Sequence, residues 1–240
     1  MSIEALQSLA DRAALFTALR QDQLHSATDA LGPHRWDVDL AAGTLTFTSD
    51  ADDTRTLVAR AHLVASVAPG PRSLMWAWAL PQGDPSGVVT RMREYGEQHG
   101  VTALTAAEVP FPADTGDDLD AWVDRFSHAV GGAAVEITGL SPYYPANVNR
   151  TRAVLLLEGL VEPLTVAAAL IALPRILSEL SLTDARTSVW DLARLAGWRL
   201  DWADADFTGA TVTDSTGSAS FRFDEFARIA GVEAHLSPQG

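Results

Sequence analysis

The stretch Arg72-Ser73-Leu74-Met75-Trp76-Ala77-Trp78-Ala79-Leu80-Pro81 constrains the fold more than any other part of the chain. It is apolar at odd and even positions alike, and it holds two of the seven Trp residues. Pro69-Gly70-Pro71 precedes it, and Gln82-Gly83-Asp84-Pro85 follows. A short apolar run between turn signals predicts a strand buried on both faces. Such a strand needs apolar cover on each side, and the preceding segments offer it. In residues 2–31, Leu6, Leu9, Ala13, Phe16, Leu19, Leu24, Ala27 and Leu31 recur at helical spacing and predict one or two helices with a single apolar face, closed by Gly32-Pro33. Trp36, Val38 and Leu40 then alternate with Arg35, Asp37 and Asp39. After Ala41-Ala42-Gly43, Leu45 and Phe47 alternate with Thr44, Thr46 and Thr48, which predicts a β-hairpin. Residues 54–68 read as a longer strand with Leu57, Ala59, Ala61, Leu63, Ala65 and Val67 on one face. Val58, Arg60, His62, Val64 and Ser66 lie on the other. The expectation is a four-stranded antiparallel meander whose last and most apolar strand must be covered.

Beyond it, Asp84-Pro85 predicts the start of a helix that stops at Gly100, with a stripe of Val88, Met92, Tyr95 and His99. Residues 102–109 read as a strand. Thr115 with Asp118 resembles a capping box, followed by a helix with Leu119, Trp122, Val123 and Phe126 on its apolar face; Gly131-Gly132 reads as its end. Residues 133–138 and 152–157 read as strands joined by a long irregular loop, 139–149. Pro163 opens an Ala/Leu-rich helix that Pro174 is expected to kink or divide. A helix over 184–196 stops at Gly197. Three short strands follow at 198–202, 210–214 and 218–223, then a short helix or turn at 224–229 and a frayed tail after Ala234. The fold class is α+β: an antiparallel sheet module over 1–160 with helices packed on it, and a small C-terminal α+β portion over 161–240, separate from or continuous with the first.

Composition narrows the chemistry. The 31 acidic residues against 17 basic ones leave a net charge of −14. That surface repels nucleic acid and anionic lipid, so neither is expected as a partner, and it suits a basic protein partner. There is no Cys, which removes disulfides, thiolate nucleophiles, iron–sulfur clusters and Cys-ligated zinc. Every basic residue is Arg, which removes Schiff-base chemistry and the phosphate-binding lysine of a P-loop. The most apolar region, 153–173, contains Glu158, Gly159, Glu162 and Pro163, so it reads as a strand, a break and a helix rather than a membrane span. The N-terminus does not read as a signal peptide, and a cytoplasmic location is the default expectation.

Neither Gly-x-Ser-x-Gly, His-Glu-x-x-His nor Gly-x-Gly-x-x-Gly occurs. The six His residues are scattered without metal-ligand spacing. Asp114, Asp117, Asp118 and Asp120 cluster, as do Asp201, Asp204 and Asp206, but neither set has the turn glycine and final Glu of a calcium loop. They read as a helix N-terminus and a solvated turn, and no metal or cofactor is expected. Two groups remain as candidate binding residues. Trp76 and Trp78, two apart on a strand, are either core or the wall of a pocket for a small apolar ligand, with Arg60 and His62 at its polar end. An even pairing sum between the two strands would set His62 opposite Trp78; a slip of one residue would send it to the other face. Tyr95 and Glu94 are possible third members. Tyr143, Tyr144, Arg150 and Arg152, with Asn147 and Asn149, form the second group, read either as a contact loop or as a packed Pro-rich loop.

Four stretches carry a family resemblance: Arg20-Gln21-Asp22-Gln23-Leu24; Trp36-Asp37-Val38-Asp39-Leu40 with Gly43-Thr44-Leu45-Thr46-Phe47; Trp76-Ala77-Trp78-Ala79; and Arg93-Glu94-Tyr95-Gly96. Together they resemble an uncharacterised bacterial family, a domain of unknown function common in actinobacteria. Ala196-Gly197-Trp198 and Phe223-Asp224 are compatible with it. The chain departs from the pattern at Leu80, where the family tends to carry Asn. The resemblance implies an α+β fold and no particular activity. The functional expectation is a non-enzymatic binding or interaction protein, with an immunity- or inhibitor-type protein as one version. The alternative is a hydrolase whose carboxylates and His converge from distant segments. A concave pocket with a His in reach of a carboxylate, and with donors aimed at one point, would favour the hydrolase.

Overall fold

A computed structural model of the chain describes residues 3–81 and 83–236. It is an α+β protein that divides into two compact units, Met1–Ala10 with Leu24–Val161, and Asp11–Gln23 with Glu162–Gly240. The predicted N-terminal helical region forms as two helices, α1 (Glu4–Arg12) and α2 (Ala14–Asp29).

The first unit is built on one antiparallel sheet. Its strands are β1 (His34–Asp39), β2 (Thr44–Ser49), β3 (Thr56–Ala68), β4 (Ser73–Trp76), β5 (Glu108–Pro110), β6 (Tyr143–Val148) and β7 (Thr151–Glu158). They run in the order β1-β2-β3-β4-β5, with β7 also paired to β3 and β6 to β7. The axis of the sheet is therefore β3 and not the Trp-containing stretch. At 13 residues β3 is long enough to pair with β2 along residues 56–60, with β7 along 60–67 and with β4 along 65–68. A β-bulge lies between Leu63 and Ala65 in its pairing with β7. Such an extra residue restarts the alternation of faces, so the single apolar face expected for residues 57–67 is divided. Ala59 and Ala61 join Leu45, Phe47, Leu155 and Leu157 in a core that Leu24 and Leu31 also enter. Past the bulge, Ala65 stands opposite Trp76 and Val67 opposite Leu74.

Helix α3 (Val88–His99) ends at Gly100, whose φ of 69° suits the glycine expected there. It starts later than Asp84-Pro85 suggests, with Gly87 at its N-cap. Residues 102–109 are not one strand: α4 (Thr102–Thr105) is a helical turn, and only the short β5 pairs with β4. Helix α5 (Leu119–Thr138) is capped by Asp118, whose carboxylate accepts the N–H of Ala121. Thr115 is instead buried and accepts a hydrogen bond from Arg72 Nη2 at 3.0 Å. The helix runs straight through Gly131-Gly132, so residues 133–138 are helical and not a strand. Packing explains this. A Cβ at Gly131 would stand 2.5 Å from the Tyr143 ring, and one at Gly132 would stand 2.8 Å from Cβ of Ala10. The two glycines let β6 and α1 approach α5 more closely than any side chain allows. Tyr143–Val148 is likewise strand and not loop, paired with β7 from Tyr143↔Leu156 to Val148↔Thr151.

The second unit carries α6 (Val166–Glu179) and α7 (Ala185–Ala196) with β8 (Arg199–Trp202), β9 (Gly209–Asp214), β10 (Gly217–Phe223) and β11 (Ile229–Leu236). The four strands form an antiparallel sheet in the order β11-β10-β9-β8. Helix α6 continues as one element through Pro174. Helix α7 has the expected limits, with Asp184 accepting the N–H groups of Arg186 and Thr187 at one end and Gly197 in the left-handed region at the other. The tail expected to fray after Ala234 is instead, at His235 and Leu236, the end of β11; the positions after Leu236 lie outside the described residues. A fully buried carboxylate, Asp191, is held by Arg12 Nε at 3.1 Å and Arg194 Nη2 at 2.7 Å. Two cations and good geometry make such burial tolerable.

Candidate functional site

Strand β4 ends at Trp76, and Ala77–Ala79 form a 3-10 turn. The pairing Ala65↔Trp76 and Ser66↔Met75 has an odd sum, so His62 does not face Trp78. The two tryptophans part company. Trp76 is fully buried, and its indole N–H donates to the Ala103 carbonyl at 2.8 Å. Trp78 is half-buried beneath the Arg93 guanidinium, 4.9 Å from its ring centroid. The shared Trp wall expected from their spacing does not form, because β5 offers partners only as far as Met75 and the strand stops one residue later. Tyr95 is half-buried and stacks on His99 at 4.0 Å, and Glu94 is exposed.

The second group of candidates is tied to α5. Tyr143 is buried, with its hydroxyl 2.7 Å from His128 Nδ1. Arg150 Nη2 donates to both carboxylate oxygens of Asp120 at 2.9 Å. Arg152 Nε donates to Asp124 at 3.0 Å. Asp120, Asp124 and His128 are spaced by four and so share one face of the helix. Burial raises the Tyr143 pKa and keeps the phenol protonated. Burial also lowers the His128 pKa, with Asp124 opposing and Arg152 assisting. The Tyr143–His128 bond therefore joins two neutral groups at neutral pH. Tyr144 is half-buried, with its ring edge-on to Trp36 at 5.9 Å and to Phe47 at 5.3 Å.

Arg60 and His62 line a cavity of about 260 Å³, walled by Leu40, Ala41, Ala42 and Gly43 on one side and Gly83, Asp84, Pro85 and Ser86 on the other. His62 is buried, and its Nε2 lies 3.1 Å from Glu158 Oε2. Arg60 Nη1 lies 3.8 Å from the same oxygen. The β3–β7 register creates this cluster: Glu158 stands opposite Arg60, and Leu156 stands opposite His62. Sequence reading missed Glu158; its one visible signal is a carboxylate closing the apolar run of residues 153–157. Several other polar groups of the walls are engaged locally. Asp39 Oδ1 accepts the N–H groups of Ala41 and Ala42, both at 2.9 Å. The Ser86 hydroxyl donates to Asp84 at 3.0 Å, and Asp84 also accepts the N–H of Thr90 at 2.7 Å. Among the described residues no group of three or more His, Asp or Glu side chains is placed to hold a metal ion.

A second cavity of about 280 Å³ lies in the second unit, lined by Asp184, Arg186, Thr187, Trp190, Trp202 and Phe207. Sequence analysis singled out none of these as binding residues. Their only common signal is a set of aromatics at positions the helix and strand patterns do not bury.

A family model, described as a family of unknown function (DUF6882), matches residues 7–160, and the chain belongs to that family. Neither the curated proteins nor the solved structures contain a match. Among the described residues no helix is long and apolar enough to cross a membrane.

Proposed function

We propose that this member of the family is a non-enzymatic binding protein, and that the Arg60–His62 cleft of its first unit holds a small ligand with an apolar body and one polar end. The observation that carries this reading is the state of the cleft's polar groups. His62 is fixed by Glu158 at the base, and the wall groups at Ala41, Ala42, Asp84 and Ser86 are occupied by local hydrogen bonds. Arg60 differs: its side chain is 68% exposed and its nearest carboxylate oxygen is 3.8 Å away, so its donors remain available to a ligand. Leu40, Ala61, Leu63 and Pro85 supply apolar wall. A version in which the acidic surface meets a basic protein rests on the net charge of −14 and not on a built site.

One observation favours the hydrolase reading, namely a His within hydrogen-bond distance of a carboxylate beside a cavity. Against it, the N–H groups of Ala41 and Ala42 are held by Asp39 and the Ser86 hydroxyl donates to Asp84, so they are not aimed with Arg60 at one point where an oxyanion could develop.

A thermal-shift screen of small ligands on the full chain tests the proposal. A ligand at a hundred times its Kd adds about 2.7 kcal/mol of stability, well within detection. Hits that stabilise wild type should lose that effect in Arg60→Ala and His62→Ala. Hits that stabilise both variants as fully as wild type would place the site elsewhere. Turnover of an ester, phosphate or glycoside by wild type, abolished in His62→Ala, would replace binding by hydrolysis.

A further inference from the structure

The second unit's cavity is built differently from the first unit's cleft, and its chemistry points to a different ligand. Trp190 is 41% exposed and Phe207 46% exposed, an unfavourable placement for large rings in water. Phe207 meets Trp202 edge-on at 4.9 Å. It is held there at a φ of +56°, in the left-handed region that a bulky residue rarely enters. The loop is braced for that conformation: Asp204 accepts the N–H groups of Asp206 and Thr208, and the Thr208 hydroxyl donates to it as well. Strain of this kind persists only where surrounding contacts enforce it, and it concentrates at functional positions.

The hydrogen-bonding inventory of the slot is one-sided. Among the described residues no acceptor meets the indole N–H of Trp190 or Trp202, although Trp198 in the same unit donates to the Leu164 carbonyl at 3.2 Å. The Nε of Arg186 is buried without an acceptor, and its Nη2 reaches the Asp224 carbonyl only at 3.4 Å. The acceptor in the slot, Asp184, already takes the N–H groups of Arg186 and Thr187 and the Thr187 hydroxyl. The slot therefore offers aromatic planes and donors more than acceptors: one oxygen of Asp184 takes both N–H groups and the other takes the Thr187 hydroxyl. A saccharide brings several hydroxyl donors and meets few acceptors here, so it fits less well. A proline-rich segment fits well: proline has no N–H to satisfy, its rings pack on aromatic planes, and a polyproline II backbone leaves its carbonyls unbonded and ordered in advance.

We infer that the slot formed by Trp190, Trp202, Phe207 and Arg186 binds a proline-rich peptide segment in the polyproline II conformation. Asp204 and Asp206, exposed on the loop that presents Phe207, favour a segment with basic residues beside its prolines, as does the net charge of −14. Peptide carbonyls accept from the two indole N–H groups and from the outer guanidinium nitrogens of Arg186, whose buried Nε lies out of a ligand's reach.

The test is a titration of the full ¹⁵N-labelled chain with a peptide of six prolines flanked by arginines, read in the indole N–H signals. The signals of Trp190 and Trp202 should shift and saturate. Those of Trp76 and Trp198, whose N–H groups donate to buried carbonyls, should stay in place. Phe207→Gly relieves the left-handed strain, so it should melt no lower than wild type while binding at least tenfold more weakly. Trp190→Ala, at an exposed position, should weaken binding to a similar extent. The inference is overturned if millimolar peptide moves neither signal, if both variants bind like wild type, or if an arginine-flanked serine peptide binds equally well. A soluble oligosaccharide that shifts the same two signals where the proline peptide does not would assign the slot to carbohydrate.

Discussion

Trp76 in the first unit is wholly enclosed, with its N–H on Ala103; Trp190 in the second unit is 41% exposed, with the Arg194 guanidinium 5.5 Å from its ring centroid. The first unit keeps its rings buried or half-buried: Trp76 donates to Ala103, Tyr143 meets His128, Tyr144 packs edge-on against Phe47 and Trp36, and Trp78 is half-buried with its indole N–H enclosed and, among the described residues, unpartnered. The second unit leaves Trp190, Phe207 and Phe226 at the surface. A shortage of core does not explain the contrast, since the second unit also buries Trp198 and satisfies its indole. An aromatic ring at the surface of a unit that can bury another is available for binding, whereas an enclosed ring is engaged in stability.

Substitution should separate the two classes most sharply at the tryptophans themselves. Trp76→Ala removes a fully buried ring together with its hydrogen bond and should cost about 3–5 kcal/mol in urea unfolding. Trp190→Ala, which removes a ring only partly covered and its contact with Arg194, should cost about 1–2 kcal/mol. Similar losses at the two positions would erase the distinction between enclosed and displayed rings.

A smaller effect is expected at the helix that encloses Tyr143. Gly131→Ala raises helix propensity but sets a Cβ 2.5 Å from the Tyr143 ring. The clash should win, with a loss of about 1–3 kcal/mol, typical of overpacking. A stabilised Gly131→Ala variant would mean that β6 can withdraw from α5 at little cost.

The smallest effect concerns pH. The folded His128 pKa lies below its ordinary value of 6.5, chiefly through burial. As pH falls below about 6.5 the unfolded chain takes up the proton first. The stability contributed by neutral His128 is therefore complete above that pH and is lost as pH drops through the folded value. The His128 imidazole is enclosed on its Nδ1 side by Tyr143 while the residue as a whole reaches solvent, so the loss should be modest. Urea midpoints measured between pH 7.5 and 5.5 should fall more in wild type than in His128→Gln. Parallel curves would remove His128 as the cause.

Local signals were legible wherever a residue's own conformational preference decided the outcome. Gly100 and Gly197 end α3 and α7, Asp184 caps α7, and the hairpin of β1 and β2 follows directly from alternation. The candidate cleft was legible only in part. Arg60 and His62 stood out on β3, but Glu158 is 96 positions from His62, and only the β3–β7 register unites them. Tyr143 and Arg150 read as an irregular loop, open or packed, and Arg152 as the start of the next strand; their partners, His128, Asp120 and Asp124, sit on a helix whose glycine pair concealed its length.

The sequence by itself determined the α+β class, the antiparallel pairing of the early strands and several helix limits, among them both ends of α7, because periodicity, capping and left-handed glycines act over a few neighbouring residues. Tertiary structure decided the rest. It placed a bulge in β3, carried α5 through Gly131-Gly132, ended β4 at Trp76 and held Phe207 at a positive φ. Each of these is locally unfavourable: a glycine in mid-helix costs about 1 kcal/mol, and a non-glycine residue in the left-handed region costs about 1–3 kcal/mol. Contacts from distant segments offset those costs, and no window of sequence contains both partners of such a contact.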